Sequence, residues 1–165
     1  MKTVLRDIPL SEITLRRYEK PGSSDKRELV KKLCLSIGLL QPGDSRDVVV
    51  DVLSALLDAR KKKKWLKAED VRAEALKIRA KKKLSEKGCA LSNIRRQLLR
   101  LRTMCLVDKA RNRYRILEFS TLSSAFSEKA KSFLIDPALL RINEYLFAVD
   151  LAYSLTRKTK TLNTN

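Results

Sequence analysis

The stretch from Ala90 to Ile116, ALSNIRRQLLRLRTMCLVDKARNRYRI, constrains the chain most, because its hydrophobic period changes partway along. From Ala90 to about Met104, the residues Leu91, Ile94, Leu98 and Leu101 recur at steps of three and four. That spacing puts them on one face of a helix. The opposite face is expected to carry Ser92, Asn93, Arg96, Gln97 and Arg100, with Arg95, Arg102 and Thr103 at its margins. From Cys105 the pattern turns to strand. Leu106-Val107 is apolar, Asp108 to Asn112 is polar and turn-forming, and Tyr114 and Ile116 alternate with Arg113 and Arg115. The stretch therefore predicts a helix running into a small hairpin, tipped by Lys109, Ala110, Arg111, Asn112 and Arg113. A helix with one apolar and one cationic face, followed by a cationic ribbon, suits a duplex groove and its flanking phosphates.

The charge distribution points the same way. The 165 residues hold 37 Lys+Arg against 19 Asp+Glu, a net charge of +18. Residues 44–116 carry 22 basic and 9 acidic side chains, an excess of +13, whereas residues 1–43 hold +4 and residues 117–165 only +1. An excess of this size argues for a polyanionic partner and says nothing about fold. Solubility alone would also explain runs of lysine. The coincidence of the excess with the helix-hairpin pattern favours the partner.

The order of helix, leucine-valine pair and basic hairpin resembles the recognition helix and wing of winged helix-turn-helix DNA-binding domains. The matching residues are Ser92, Asn93, Ile94, Arg95, Arg96, Leu98, Leu101, Leu106, Val107, Tyr114, Arg115 and Ile116. Family members often close this helix with Gly just before the leucine-valine pair; this chain has Cys105 there. The resemblance implies a mainly α fold with a small β-hairpin, in which the third helix enters the major groove of double-stranded DNA. Ser92, Asn93, Arg96 and Arg100 would then face base edges, with Gln97 beside them, since Arg suits guanine and Asn suits adenine. Arg95, Lys109, Arg111 and Arg113, with Asn112 at the tip, would hold phosphates, which position without specifying.

Around this core the chain divides into an N-terminal arm and helix (1–43), a winged-helix domain (44–116) and a C-terminal helical segment with a frayed tail (117–165). In the first, Arg16, Arg17 and Lys20 suit either a solvated loop or a phosphate backbone. A helix is expected from Asp25, its cap, with Leu29, Val30, Leu33, Cys34 and Ile37 on one face. In the second, a helix capped by Asp44 or Ser45 runs to Lys64. Trp65-Leu66-Lys67 is a short apolar interruption where the resemblance implies a brief strand pairing with the hairpin; Trp65 is expected in the core. A further helix follows from Ala68 to Lys83, with Gly88 as its C-cap.

The final helix, Pro137 to about Thr156 with Asp136 as cap, is the most apolar. Leu139, Ile142, Leu146, Val149 and Tyr153 form one stripe; Leu140, Phe147, Leu151 and Leu155 form a neighbouring one. Two stripes exceed what one core contact needs, so homodimerisation through the first stripe is expected. Packing inside the chain, under the N-terminal helix, is the plain alternative.

Other chemistry has little material. With no histidine there is no His-based triad or general base, and four glycines leave no phosphate-cradling loop. Cys34, Cys89 and Cys105 lie far apart without metal-ligand spacing. No enzyme activity, cofactor, metal or small-molecule ligand is expected. The N-terminus lacks an apolar signal core, and Tyr145 to Leu155 is broken by Asp150, short of the roughly 18 residues a bilayer span needs. A soluble, cytoplasmic, nucleoid-associated prokaryotic protein without a membrane partner is the expectation. The leading functional reading is a dimeric transcriptional regulator. A second is a winged-helix protein-interaction module of transcription, replication or division machinery. A third, a chromosome-organising or partition protein, rests on LSEI and SIGLLQP between Ile8 and Pro42, which are similar to the start of partition-protein domains. Those domains continue as strands, where this chain continues as helix.

Overall fold

The computed structural model describes residues 7–22 and 25–153. The helix at its centre is α2 (Val48–Lys61), apolar around most of its circumference. Val48, Val49, Val50, Val52, Leu53 and Leu56 are each at most 2% exposed. Burying each such side chain contributes about 1.5–3 kcal/mol, so α2 dominates the hydrophobic term. Around it pack α1 (Lys26–Ser36), α3 (Ala68–Lys81), α4 (Leu91–Thr103) and the strand β3 (Arg113–Ile116). β1 (Leu66–Lys67) and β2 (Val107–Ala110) complete a three-stranded antiparallel sheet in the order β1-β3-β2. Leu66 pairs with Tyr114, and Val107 with Ile116, so the alternation read in the sequence turns Tyr114 and Ile116 into the core. The result is a mainly α fold with a small hairpin, and the order α2-β1-α3-α4-β2-β3 is compatible with a winged-helix shape.

Several local expectations need correction. α2 begins at Val48, not near Asp44, and its N-cap Asp47 makes no capping hydrogen bond, because its carboxylate serves elsewhere. Asp25 is the N-cap of α1 but its side chain also caps nothing; it accepts from Lys82 Nζ at 2.8 Å. On α1, Leu29 is 41% exposed and Arg27 is buried in its stead. Trp65 is only partly buried, with its ring edge-to-face against Phe119 and under the Arg115 guanidinium at 4.4 Å.

Gly88 is not the C-cap of α3. The C-cap is Lys82, and the left-handed residue after it is Lys83, at φ 52°, whose N–H bonds the Ala80 carbonyl while the Leu84 N–H reaches back to Arg79. The same paired closure ends α2 at Lys63 (φ 47°) and α4 at Cys105 (φ 60°). Each is the left-handed position that glycine fills at low cost and an L side chain strains. Cys105 therefore makes the turn that glycine usually makes. Lys63→Gly, Lys83→Gly and Cys105→Gly should each raise stability by about 0.5–1 kcal/mol, read as a higher urea midpoint at unchanged slope. A lower midpoint for all three would mean that these helix ends do not close this way.

α1 is integral to the core, since Cys34, Ile37, Leu39 and Leu40 join the buried cluster. The extended chain before it crosses its C-terminus. There Arg16 donates to the carbonyls of Leu35 (2.8 Å) and Leu40 (3.1 Å) and to Gln41 Oε1 (2.6 Å). Arg16 thus serves as a helix cap, the use to which arginine is suited at a C-terminus.

After β3, a 3-10 turn (Leu117–Phe119) leads into α5 (Leu122–Ala125), a π-helical stretch (Phe126–Ile135) and α6 (Asp136–Ala152). Helix thus begins at Leu122 and runs through the expected start at Asp136, whose carboxylate accepts from Lys131 Nζ at 3.0 Å and caps nothing. Among these elements only Ala125 and Ala130 are buried. Leu155, Thr156 and the tail lie outside the described residues. No described helix is long and apolar enough to cross a membrane.

Candidate nucleic-acid interface

α4 stands on the core through Ile94, Leu98 and Leu101, each fully buried. Its outward face runs in steps of three and four through Ser92, Arg95 and Arg96, Leu99, and Arg102 and Thr103, all exposed. This face is rotated from the one read in the sequence. Gln97, expected to point outward, is only 8% exposed. Position 97 lies three residues after Ile94 and four before Leu101, inside the wedge that those residues define. Leu99, at 56% exposed, sits near the middle of the outward face instead.

Asn93 and Arg100 are partly buried and tied to Gln97 in one chain of hydrogen bonds. Arg100 Nη1 donates to Gln97 Oε1 at 2.9 Å, and Gln97 Nε2 donates to Asn93 Oδ1 at 3.0 Å. Asn93 Nδ2 then donates to the Gly88 carbonyl at 2.6 Å. Gly88 takes φ 89°, and a Cβ there would meet Val48 Cγ2 at 3.0 Å, so glycine allows this close approach. Opposite the chain stands the loop from Leu39 to Arg46. Between the two lies a cleft of about 690 Å³. Of the expected base-facing set, Ser92 and Arg96 are presented outward, whereas Asn93 and Arg100 are recessed in this cleft.

The wing matches the sequence reading closely. β2 and β3 join through the two residues Arg111 and Asn112, at φ 47° and 58°. Two successive positive φ angles are the tight hairpin geometry whose twist matches the strands. Lys109, Arg111, Asn112 and Arg113 are all exposed. The Lys109 amine lies 5.5 Å from the Tyr114 ring centroid, which holds it along the strand. Arg115 is different. Its guanidinium forms hydrogen bonds to both Asp108 oxygens at 3.0 Å and covers Trp65 and Phe119. It braces the base of the wing.

The electrostatics of this surface are one-sided. α4 contains four arginines and no acid. Two neighbouring acids are already engaged: Glu69 accepts from Arg95 at 3.0 Å, and Asp108 is held by Arg115. The Arg95 pair is more than half exposed at both ends, so it is weak and exchangeable. Six cations, Arg95, Arg96, Arg102, Lys109, Arg111 and Arg113, therefore stand exposed on one helix and the adjoining ribbon.

The sequence reading missed one group altogether. Asp47 and Asp51 of α2 are buried between Arg27 of α1 and Arg79 of α3. Burial works against the charge on Asp47, but hydrogen bonds from Arg79 and Arg27 outweigh it and hold its carboxyl below the usual range. Arg79 also donates to the Ser85 carbonyl at 2.6 Å, which fixes the loop leading to α4. Through Arg79 the quartet is tied to the loop that leads into α4. No family model, curated protein or solved structure matches the chain.

Proposed function

We propose that this chain is a duplex-DNA-binding protein of winged-helix type, acting as a dimeric transcriptional regulator. The observation that carries the reading is the row of six exposed cations on α4 and the wing, beside which the acids Glu69 and Asp108 are already paired. In this reading α4 lies in the major groove and the wing follows the adjoining backbone. Arg96 and Ser92 face base edges, and Leu99 gives an apolar contact of the kind a thymine methyl accepts. Arg95, Arg102, Lys109, Arg111 and Arg113 neutralise phosphates.

The test is a salt titration of the full chain on a duplex selected from a random pool. Five or six phosphate contacts give a slope of log affinity against log salt near −5. Lys109→Ala/Arg111→Ala/Arg113→Ala should flatten the slope by about 3 units, uniformly across sequences. Arg96→Ala should cost about 1–3 kcal/mol on the selected duplex and little on random DNA. Absence of saturable duplex binding at roughly 50 mM salt would end the proposal.

The dimer rests on α6. Leu139, Ile142, Leu146, Val149 and Tyr153 recur in strict steps of three and four, the 3.5-residue period of a two-helix seam, and each is at least 53% exposed. Among the described elements, α6 packs chiefly on the π-helical stretch that precedes it. It carries only four charged residues, Asp136, Arg141, Glu144 and Asp150, so it is no match for DNA. A seam that repeats in its own period is self-complementary, and the occupant proposed is the α6 of a second copy. The same exposed helix also favours the docking-module reading, in which a different chain covers it and α4 need not touch DNA.

A further inference from the structure

The structure assigns the cleft between α4 and the Leu39–Arg46 loop as a binding site for a small phosphate-bearing anion. Arg46, Lys87, Arg96 and Arg100 line it, against the single acid Asp44. The Asp44 carboxylate is turned back on its own loop, accepting the Arg46 backbone N–H at 2.8 Å. The cleft therefore holds an excess of three positive charges, suited to a doubly or triply charged guest. Guanidinium forks and a lysine point charge are the donors that phosphate oxygens take best.

The polar lining is arranged as well as charged. Asn93 Nδ2 and Gln97 Nε2 each donate one hydrogen bond within the chain that runs from Arg100 to Gly88. Each amide nitrogen carries a second hydrogen, which a guest oxygen can accept. The chain fixes both amides before any guest arrives, so little ordering is left to binding. Leu39 and Leu40, each 3% exposed, close the cleft with apolar surface. At about 690 Å³ the cleft has the size of a small-molecule site, not of a crevice between side chains.

Its concavity separates it from the duplex surface. Gln97 is buried and Asn93 and Arg100 are partly buried, so a rigid double helix resting on the outward face of α4 passes over them. A small anion enters. Arg96 alone is shared with the outward face; Arg46, Lys87, Asn93, Gln97 and Arg100 belong to the recessed flank, and the inference rests on them.

Titration of the full chain with pyrophosphate and with inorganic phosphate, followed by backbone and side-chain amide NMR, tests the assignment. Pyrophosphate should saturate at one per chain and shift the Gly88 amide and the Asn93 and Gln97 side-chain amides first. Arg46 and Lys87 are exposed and stand apart from the duplex set, so Arg46→Gln/Lys87→Gln keeps the fold and should weaken pyrophosphate at least tenfold. Lys62→Gln/Lys64→Gln removes the same charge at the far end of α2 and should change the affinity less than twofold. Equal weakening by both pairs would reduce the site to a general attraction and overturn it. So would shifts at these amides produced by duplex DNA alone, or titration without saturation.

Discussion

Asp51→Ala should cost about 3–5 kcal/mol of unfolding free energy, the largest loss from any single side chain in this protein. Asp51 is fully buried and accepts three hydrogen bonds: from Arg27 Nε at 2.8 Å, Arg27 Nη2 at 3.0 Å and Arg79 Nη1 at 2.6 Å. Asp47 takes one from each of the same arginines, both at 2.9 Å. Two carboxylates and two guanidinia make a neutral quartet. Removing one carboxylate leaves a net buried positive charge with donors unpaired, and this residual charge, not the lost attraction, sets the cost. Asp51→Asn keeps the shape but turns an amide N–H toward guanidinium donors, so it should lose nearly as much.

Urea unfolding gives the number, and the Cys34 thiol gives a second readout. In the native protein Cys34 is sealed, and burial pushes its thiol up to about 12, so alkylation at neutral pH should be negligible. Once Asp51 is gone, α1 is held to α2 and α3 by a damaged clasp, and Cys34 should become reactive. Asp47 adds a pH signature. Its folded pKa lies below the ordinary 3.8, so its contribution is full above that value and is lost as pH falls through the lower folded one. The acid limb of wild-type stability should therefore be shallower in Asp47→Asn. A loss under about 1 kcal/mol for Asp51→Ala, with Cys34 still sealed, would mean that the quartet is solvated and clasps nothing.

The clasp also marks where sequence reasoning stops. Arg27, Asp47, Asp51 and Arg79 lie on three helices, and each alone has the composition of a surface residue. Burial of a charge becomes legible only when its partner's position is known, because pairing alone makes burial tolerable. The helix-hairpin core was legible for the opposite reason. α4, β2 and β3 are adjacent in sequence, and their periods of 3.6 and 2 are written in contiguous residues. The brief strand at Leu66-Lys67 is legible only through the winged-helix resemblance, which places an edge there.

The candidate site was half legible. Arg95, Arg96, Lys109, Arg111 and Arg113 are exposed as expected. Gln97 is misplaced when its polarity overrides its angle on the helix, and Leu99, which the sequence reading leaves unassigned, takes the outward place. Asn93 and Arg100 were placed on the right helix. Their recession under the Leu39–Arg46 loop depends on α1, which the sequence sets apart as an arm and the quartet draws into the core. The left-handed turn at Lys83 is hidden by a nearby Gly88 that is used for close approach instead.

Ile142→Glu/Leu146→Glu should convert a dimer of the 18.9 kDa chain into a monomer at micromolar concentration. Both positions lie at the middle of the seam, 54% and 57% exposed in the single chain. Pairing two copies buries four such side chains, each contributing about 1.5 kcal/mol or more, so dissociation should be eased on the order of 10⁴-fold. Placing glutamates there adds repulsion across the two-fold axis, which moves the equilibrium further. The fold should be untouched, because neither side chain joins the core cluster and the substitutions keep good helix formers. Sedimentation of wild type and variant decides the first step. Duplex binding decides the second: a wild-type dimer should span two half-sites about one helical turn apart, and the monomeric variant should keep affinity for a single half-site while losing the gain from the pair. A wild-type chain that sediments as a monomer at all concentrations would return α6 to the docking reading, with its apolar seam awaiting a different chain. A variant that dimerises unchanged would place the contact elsewhere on the molecule and leave the 3.5-residue period of α6 without a role.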